Sequence, residues 1–226
     1  SIDIKYIYIV PYFSIQLTIR FLSALYIELH FSKKYIFIYI INMPGICLTF
    51  DKKTKNYLNT IYKKINKKFN KEIIKIDKNL EPHVSLLRSH FDDNINKHIY
   101  KAIDKISQKN KKYNSSLDGF GIFKNNKKYA LYHVIPNDQN MQNIHKMLWD
   151  NLDQKVPDYE RDLYHYSSFI PHVTIPIINS NKTNVIKVLE EMMKLTNKNI
   201  NIKISHLTYL TGNLTEPNVY YKKALK

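Results

Sequence analysis

The chain has 226 residues and a hydrophobic share of 44%, enough to fold around a sizeable core, which excludes an intrinsically disordered protein. Its formal net charge of +16 favours a polyanionic partner, nucleic acid first, with compositional drift toward lysine as the alternative source of that charge. The single cysteine, Cys47, excludes an internal disulfide and a cysteine-based zinc site, and it indicates a reducing compartment.

Residues 1–42 form a hydrophobic N-terminal segment that differs in composition from the rest of the chain. A membrane span needs roughly 20 apolar residues with few charges. Charged residues interrupt this segment at Lys5, Arg20, Glu28, Lys33 and Lys34. We therefore expect an appended extension here, with a membrane or targeting anchor and additional strands as the alternatives, and a two-lobed domain over residues 43–226.

From residue 43 onward the pattern predicts an α+β domain. In chain order the predicted elements are a strand at 46–50, a helix at 52–70 capped by Asp51, a strand at 83–87, a helix entered at 91–93 and ending near 109, a hairpin of 117–124 and 129–135, a helix from 136–137, a polar loop at 154–168, a strand at 171–177, a helix at 182–195, and strands at 200–209 and 219–221. Apolar residues at 141, 144, 148 and 152 predict the buried face of the helix that begins at 136–137.

One short pattern occurs twice along the chain. Pro-His-Val-[Ser/Thr]-[Leu/Ile] is centred on His83 and again on His172. Nine residues after each histidine, Asp92 and Asn181 open a predicted helix. This repetition predicts two pseudo-symmetric lobes whose antiparallel sheets line a central cleft, with the helices outside and the two motif strands facing each other.

The two motifs place an imidazole and a hydroxyl side by side, because residues two apart in a strand point to the same face. His83 is paired in this way with Ser85, and His172 with Thr174. Their neighbours on the opposite, apolar face are Val84, Leu86, Val173 and Ile175.

This set of side chains suits metal-free cleavage of an RNA phosphodiester. One neutral histidine would take the proton of a ribose 2′-hydroxyl, and the other, protonated, would give a proton to the departing 5′-oxygen. Ser85 and Thr174 would donate hydrogen bonds to the non-bridging phosphate oxygens.

The bare pattern His-x-[Ser/Thr] is weak evidence, since the chain contains it five times. The other three matches begin at His30, His165 and His206. Only His83 and His172 share the longer pattern and the same distance to a following helix. These two histidines are therefore the predicted acid and base.

The two motifs and their flanking elements resemble the 2H phosphoesterase superfamily, and within it most closely the U6 small nuclear RNA 3′-end phosphodiesterases. The resemblance covers residues 45–226 and includes residues 125–132, similar to that family's central hairpin, and residues 210–213, similar to a turn before its last strand. The sequence departs from the pattern at Thr174, where the closest relatives favour serine, and at Pro176, which puts the contacts just after the second motif in doubt.

The resemblance implies a nuclear enzyme that needs no metal or cofactor, and we expect the protein to be a monomer. It implies trimming of the 3′ oligouridine tail of U6 RNA, leaving a 2′,3′-cyclic phosphate or a 3′-phosphate. It assigns His172 as the expected base and His83 as the expected acid. An aromatic residue before the second motif stacks on the terminal base in that family; Tyr166 fits that place, with Tyr164 and Phe169 as alternatives. Hydrolysis of small cyclic phosphates or 2′-5′ linkages, and a non-catalytic RNA-binding domain, are the competing hypotheses.

Overall fold

The described part of the chain forms four α-helices and eight β-strands. The structure is a computed structural model, and it describes residues 44–76, 82–89, 95–125, 128–136, 138–156, 169–196, 199–213 and 216–226. The elements are β1 (Gly45–Phe50), α1 (Lys52–Lys68), β2 (His83–Arg88), α2 (Asn96–Lys109), β3 (Tyr113–Leu117), β4 (Phe120–Asn125), β5 (Lys128–Val134), α3 (Gln139–Leu152), β6 (His172–Thr174), α4 (Lys182–Leu195), β7 (Ile200–Asn213) and β8 (Glu216–Ala224). The expectation for residues 1–42 lies outside the described residues.

The strands form two antiparallel sheets. The large sheet has the order β2-β1-β7-β3, and β8 pairs with the later part of the long strand β7. The small sheet has the order β4-β5-β6. The predicted α+β class with antiparallel sheets is confirmed. The terminal strands β7 and β8 are both longer than the sequence pattern predicted.

Helix α1 begins where its sequence predicts. The Asp51 carboxylate accepts a hydrogen bond of 2.8 Å from the backbone N–H of Thr54, which satisfies one of the unpaired donors of the first turn. Leu58 and Ile65 lie fully buried on its inner face. The helix ends two residues before the predicted residue 70, because Asn70 adopts a left-handed conformation with φ of 50°.

The predicted hairpin is confirmed as the antiparallel pair β4–β5, but its first strand begins at Phe120 and not at residue 117, because two strands share the segment 117–124. Residues up to Leu117 belong to β3 in the large sheet, and residues from Phe120 belong to β4 in the small sheet. Gly119, at φ of 81°, lies between them in a conformation that a side chain disfavours. The chain crosses from one sheet to the other at this glycine.

Strand β6 is shorter than the predicted strand at 171–177. Pro176 has no N–H to donate to a ladder, and β6 ends before it. Beyond β6 the chain pairs with the segment that follows α1 instead: Ile177 forms an antiparallel bridge with Ile74, and the backbone N–H of Lys75 donates to the Pro176 carbonyl at 2.9 Å. This pairing ties the first half of the chain to the second.

A single hydrophobic cluster runs through both sheets and the helices. Helix α2 packs against α3, α1 packs against α4, and α3 also packs against β2. The predicted inner face of α3 is confirmed, since Met141, Ile144, Leu148 and Leu152 are all fully buried. In this described part of the chain, no helix has the length and apolar character that a membrane crossing requires.

Candidate active site

The two motif strands lie next to each other. Strand β2 forms one edge of the large sheet, and β6 forms one edge of the small sheet. Cα atoms of the two strands approach within 8 Å. Motifs that are 89 positions apart in the sequence therefore meet at the junction of the sheets.

On β2, burial alternates through the first motif. His83 and Ser85 are half-buried, whereas Val84 and Leu86 are fully buried beneath them. The two apolar side chains anchor the strand in the core. The imidazole and the hydroxyl consequently lie on one side of β2, as the alternation predicted.

His172 on β6 is held in one orientation by its own backbone. Its Nδ1 lies 2.8 Å from the carbonyl oxygen of Ile170. Because a carbonyl can only accept, Nδ1 carries the proton, and the neutral ring has its lone pair on Nε2. Thr174, two residues on, is exposed.

The pKa of His172 lies below its ordinary value. Burial is the largest cause, since it disfavours the charged ring, and the positive charge of Arg88 acts in the same direction. The Ile170 carbonyl opposes both effects by stabilising the imidazolium. The result favours a neutral His172 at physiological pH, which is the form that a general base requires.

Arg88, which the sequence patterns did not single out, reaches the same space because of a β-bulge in β2. The register between β1 and β2 shifts between Ile46 and Cys47, so that Leu86 is left without a partner opposite it. Leu86 and Leu87 are both buried, and Arg88 returns to the side that carries the motif side chains. Strict alternation would have placed Arg88 on the opposite face.

The Arg88 guanidinium touches both members of the first motif. Its Nε donates to Ser85 Oγ at 3.3 Å, and its terminal nitrogen lies 3.4 Å from His83 Nε2. Its charge also acts on His172, which belongs to the other motif. The one feature of the sequence that could have pointed to Arg88 is the rarity of arginine, since only three of the 35 basic residues are arginines.

An aromatic wall formed by Phe123 and Tyr132 stands beside His172. The rings of Phe123 and Tyr132 stack with centroids 4.3 Å apart. Each meets the His172 ring edge-on, at 5.2 Å and 5.0 Å respectively. Gly121 lies opposite Tyr132 in the β4–β5 ladder, and the space that a side chain at residue 121 would fill is occupied by the Tyr132 ring.

Of the three predicted base-stacking residues, Phe169 alone is among those that the structure describes. Tyr164 and Tyr166 lie outside the described residues. Phe169 is half-buried and packs against the core, with its ring 4.1 Å from that of His145 on α3. Stacking on a base stays a prediction for all three residues.

The remaining His-x-Thr match in the described region, at His206 and Thr208, lies two strands away from the first motif. His206 and His83 both pair with Thr49 of β1, on its two sides. Thr208 is fully buried, and its hydroxyl lies 3.0 Å from that of Thr49. Thr208 therefore has a structural hydrogen bond within the sheet.

Histidine, cysteine and acidic side chains do not gather in threes anywhere in the described region, so no metal-binding cluster is seen there. The chemistry available at the junction of the sheets is that of two imidazoles, two hydroxyls and one guanidinium.

A family comparison decides which class of protein has this arrangement. Residues 63–214 match the family model described as the 2′-5′ RNA ligase superfamily. The chain belongs to this superfamily, the 2H phosphoesterases. The family resemblance drawn from the two motifs is thereby confirmed, and the class of reaction is that of a phosphoesterase. A search of curated protein sequences finds no significant match.

Several solved structures are similar to this chain at low sequence identity. The protein TT0787 of Thermus thermophilus aligns with a TM-score of 0.58 and 10% identity, over 81% of this chain and 97% of its own. E. coli LigT, in a crystal structure complexed with 3′-AMP, aligns with a TM-score of 0.52 and 11% identity, over 82% and 99%. Usb1 of Kluyveromyces marxianus aligns at 0.43 and 12%, over 83% and 99%, a score too low to support a conclusion.

Proposed function

We propose that this 2H phosphoesterase is a metal-independent 3′→5′ exoribonuclease that trims the 3′ oligouridine tail of U6 small nuclear RNA. The observation that supports this proposal is the adjacency of β2 and β6, because these strands carry the two motifs whose histidines and hydroxyls would act together. Arg88 of one strand acts on His172 of the other, so the two motifs share one electrostatic environment.

In the proposed step, Nε2 of His172 takes the proton of the ribose 2′-hydroxyl while the 2′-oxygen attacks phosphorus. The P–O5′ bond breaks, and His83 gives its proton to the departing 5′-oxygen. The product is a 2′,3′-cyclic phosphate, and water addition to it would leave a 3′-phosphate. The lone pair on Nε2 of His172 and its lowered pKa both suit the base role.

Ser85 and Thr174 would hydrogen-bond the non-bridging oxygens of the reacting phosphate. Negative charge builds on these oxygens in the transition state, so donors fixed on rigid strands stabilise it more than the ground state. Both hydroxyls stand two residues from a histidine of the pair, on β2 and β6.

The substrate end of the proposal combines charge with base stacking. The net charge of +16 favours a polyanion, and the family resemblance assigns the terminal base to Tyr166, with Tyr164 and Phe169 as alternatives. We further propose that the protein acts in the nucleus as a monomer. Fractionation of cells that express the full chain, and light scattering of the purified protein, test these two points.

The decisive experiment incubates the purified full chain with RNA that ends in oligouridine, in EDTA, and maps the 3′ ends by mass. We expect successive loss of uridines from the parent protein. His83→Ala and His172→Ala should each reduce the rate at least about 10³-fold, because loss of a general acid or base removes 10²–10⁴-fold and the neighbouring charge balance changes as well.

The matched control is His98→Ala, since His98 is exposed on α2 and should leave the rate unchanged. A substrate with a 2′-deoxy sugar at the attacking position should resist cleavage. Ready cleavage of an all-DNA strand, or full activity of both histidine variants, would contradict the mechanism. Tight RNA binding without any cleavage would favour a non-catalytic RNA-binding domain.

A second candidate is hydrolysis of 2′-5′ linkages or of small 2′,3′-cyclic phosphates. The family description, which refers to 2′-5′ RNA ligases, favours it. Side-by-side rates on oligouridine, a 2′-5′-linked dinucleotide and uridine 2′,3′-cyclic phosphate separate the two candidates. Faster turnover of either small substrate would move the assignment to this second activity.

A further inference from the structure

We propose that Arg88 is a phosphate-binding residue of the active site, which leaves its contacts with Ser85 and His83 and moves to a non-bridging phosphate oxygen when substrate binds. This inference rests on the proposed function only in taking a phosphate ester as the ligand. The bulge in β2, the contacts of the guanidinium and its charge support it.

The backbone around Arg88 directs the side chain toward the motifs. The bulge at Leu86 reverses the alternation of β2, and bulges beside active sites commonly re-aim a side chain in this way. Opposite Arg88 in the ladder is Gly45, where a Cβ would lie 3.1 Å from the Arg88 Cγ. The absence of a side chain there leaves room for the arginine stem to lie back over β1.

The two contacts of the guanidinium are weak enough to be exchanged. At 3.3 and 3.4 Å they are longer than the usual 2.9–3.0 Å of an N–H hydrogen bond. Among the residues that the structure describes, no carboxylate forms an ion pair with Arg88, which is only half-buried. A guanidinium placed this way is complementary to an anion, and its planar fork matches two oxygens of a phosphate.

Transfer of Arg88 to the phosphate would also release the acid. A guanidinium only donates, so its contact with His83 requires the lone pair on Nε2. For His83 to give a proton from that nitrogen, the arginine has to leave it. Substrate binding would thus couple charge neutralisation at phosphorus to freeing of His83 Nε2, and of Ser85 Oγ, for the reaction.

The test measures binding separately from turnover. Affinities for uridine 3′-monophosphate and for inorganic phosphate are measured by titration calorimetry with the full-length parent, Arg88→Met, Arg88→Gln and Arg88→Lys. We expect Arg88→Met and Arg88→Gln to weaken the binding of both anions at least tenfold. Arg88→Lys should lie between them and the parent, because it keeps the charge without the fork. On the oligouridine RNA, Arg88→Met should lower kcat about 10²-fold and change KM less.

The matched control is Lys187→Met, which removes the same charge from an exposed position on α4. It should bind both anions like the parent. Unchanged affinity of Arg88→Met and Arg88→Gln for uridine 3′-monophosphate would overturn the proposal. If Arg88→Met does not fold, as judged by its thermal midpoint, Arg88→Gln carries the test because it keeps polar contacts to the strand.

A pH profile provides a readout that a merely structural arginine would not move. The titratable groups on the two strands packed against β6 are His83 and Arg88 on β2, and Lys128, Tyr129, Tyr132 and His133 on β5. Because the charge of Arg88 helps to hold the pKa of His172 down, the acid limb of kcat/KM should move to higher pH in Arg88→Met and stay in place in Lys187→Met. An unmoved limb in Arg88→Met would contradict the shared environment on which the inference rests.

The two proposals fail in different ways. Loss of anion binding in Arg88→Met, with no cleavage of any RNA by the parent, would support the phosphate-binding role of Arg88 and contradict the exonuclease activity. Normal anion binding in Arg88→Met, with cleavage that depends on both histidines, would support the exonuclease activity and contradict the phosphate-binding role of Arg88.

Discussion

Among the four polar side chains of the two motifs, Thr174 alone is exposed, whereas His83, Ser85 and His172 are half-buried. An exposed hydroxyl can meet a phosphate without first losing a protein partner. It also contributes little to packing, so its removal tests chemistry more cleanly than removal of a buried residue would.

Thr174→Val should lower kcat about 10²-fold with little change in the free energy of unfolding, because valine keeps the shape and removes the donor. Thr174→Ser should keep the rate within about threefold, since serine restores the hydroxyl. Single-turnover kinetics on the oligouridine RNA measure the rates of both variants. Thr183→Val, at an exposed position of α4, is the control. A Thr174→Val enzyme as fast as the parent would remove this hydroxyl from the mechanism.

His133 lies next to Tyr132 in β5 but faces the core. It is almost fully buried, its Nε2 has no hydrogen-bond partner among the described residues, and its ring lies 4.9 Å from that of Phe120. Burial lowers the pKa of His133 to about 4. This histidine is therefore neutral in the folded protein at physiological pH.

The free energy of unfolding should decrease as pH falls from about 6.5 to about 4, because in this range His133 binds a proton in the unfolded chain but stays neutral in the folded chain. The loss from this residue has an upper limit of about 3 kcal/mol and is complete below pH 4. Urea unfolding at several pH values measures it. His133→Leu should flatten part of the slope. An equal slope in His133→Leu would show that His133 is not its source.

At the scale of elements, the β4–β5 hairpin determines where the aromatic wall stands. Gly121 and Tyr132 form a pair in the ladder. The Tyr132 ring lies over Gly121 and contacts the His172 ring edge-on. A residue with a side chain at position 121 would have to displace that ring. The wall therefore depends on one glycine, in a chain that has only four.

Gly121→Ala should lower the free energy of unfolding by about 1–3 kcal/mol, because the new methyl group and the Tyr132 ring compete for one space. Tyr132→Val should relieve the conflict, so that adding Gly121→Ala to Tyr132→Val costs much less than it does in the parent. Denaturant unfolding of the four proteins in this cycle measures the coupling. Equal costs in both backgrounds would contradict the packing seen between β4 and β5.

Charge operates at the scale of the whole molecule. The net charge of +16 comes from 35 basic against 19 acidic residues, and most of the basic residues are lysines on exposed helix faces and loops. Long-range attraction of this kind raises the association rate with any polyanion and is screened by salt.

Affinity for a short single-stranded oligouridine should fall with salt, with a slope of log K against log salt of about −2 to −3, as three or four phosphate contacts would give. Arg88→Met should reduce the size of that slope by somewhat less than 1, since it removes one contact. Fluorescence anisotropy from 50 to 300 mM salt measures it. A slope near zero would mean that the charge excess is compositional and takes no part in binding.

Also at this scale, the sequence alone determined the helices and strands whose apolar residues recur at a regular spacing. It also determined the duplicated motif. Helix α4 has the predicted bounds, the Asp51 cap is in place, and the apolar partners of the motifs are buried. These features depend on residues within one turn or one alternation of each other, so local physics is enough to specify them.

Only the tertiary structure decided that residues 117–124 divide between two sheets, that β6 ends at Thr174, and that β2 carries a bulge. The bulge depends on register with β1, and the aromatic wall depends on β4, β5 and β6 lying side by side. Pairing between distant strands leaves little trace in either strand's own sequence. For this reason the sequence could single out the two motif histidines as candidates, whereas the positions of Arg88, Phe123 and Tyr132 beside them emerged only from the structure.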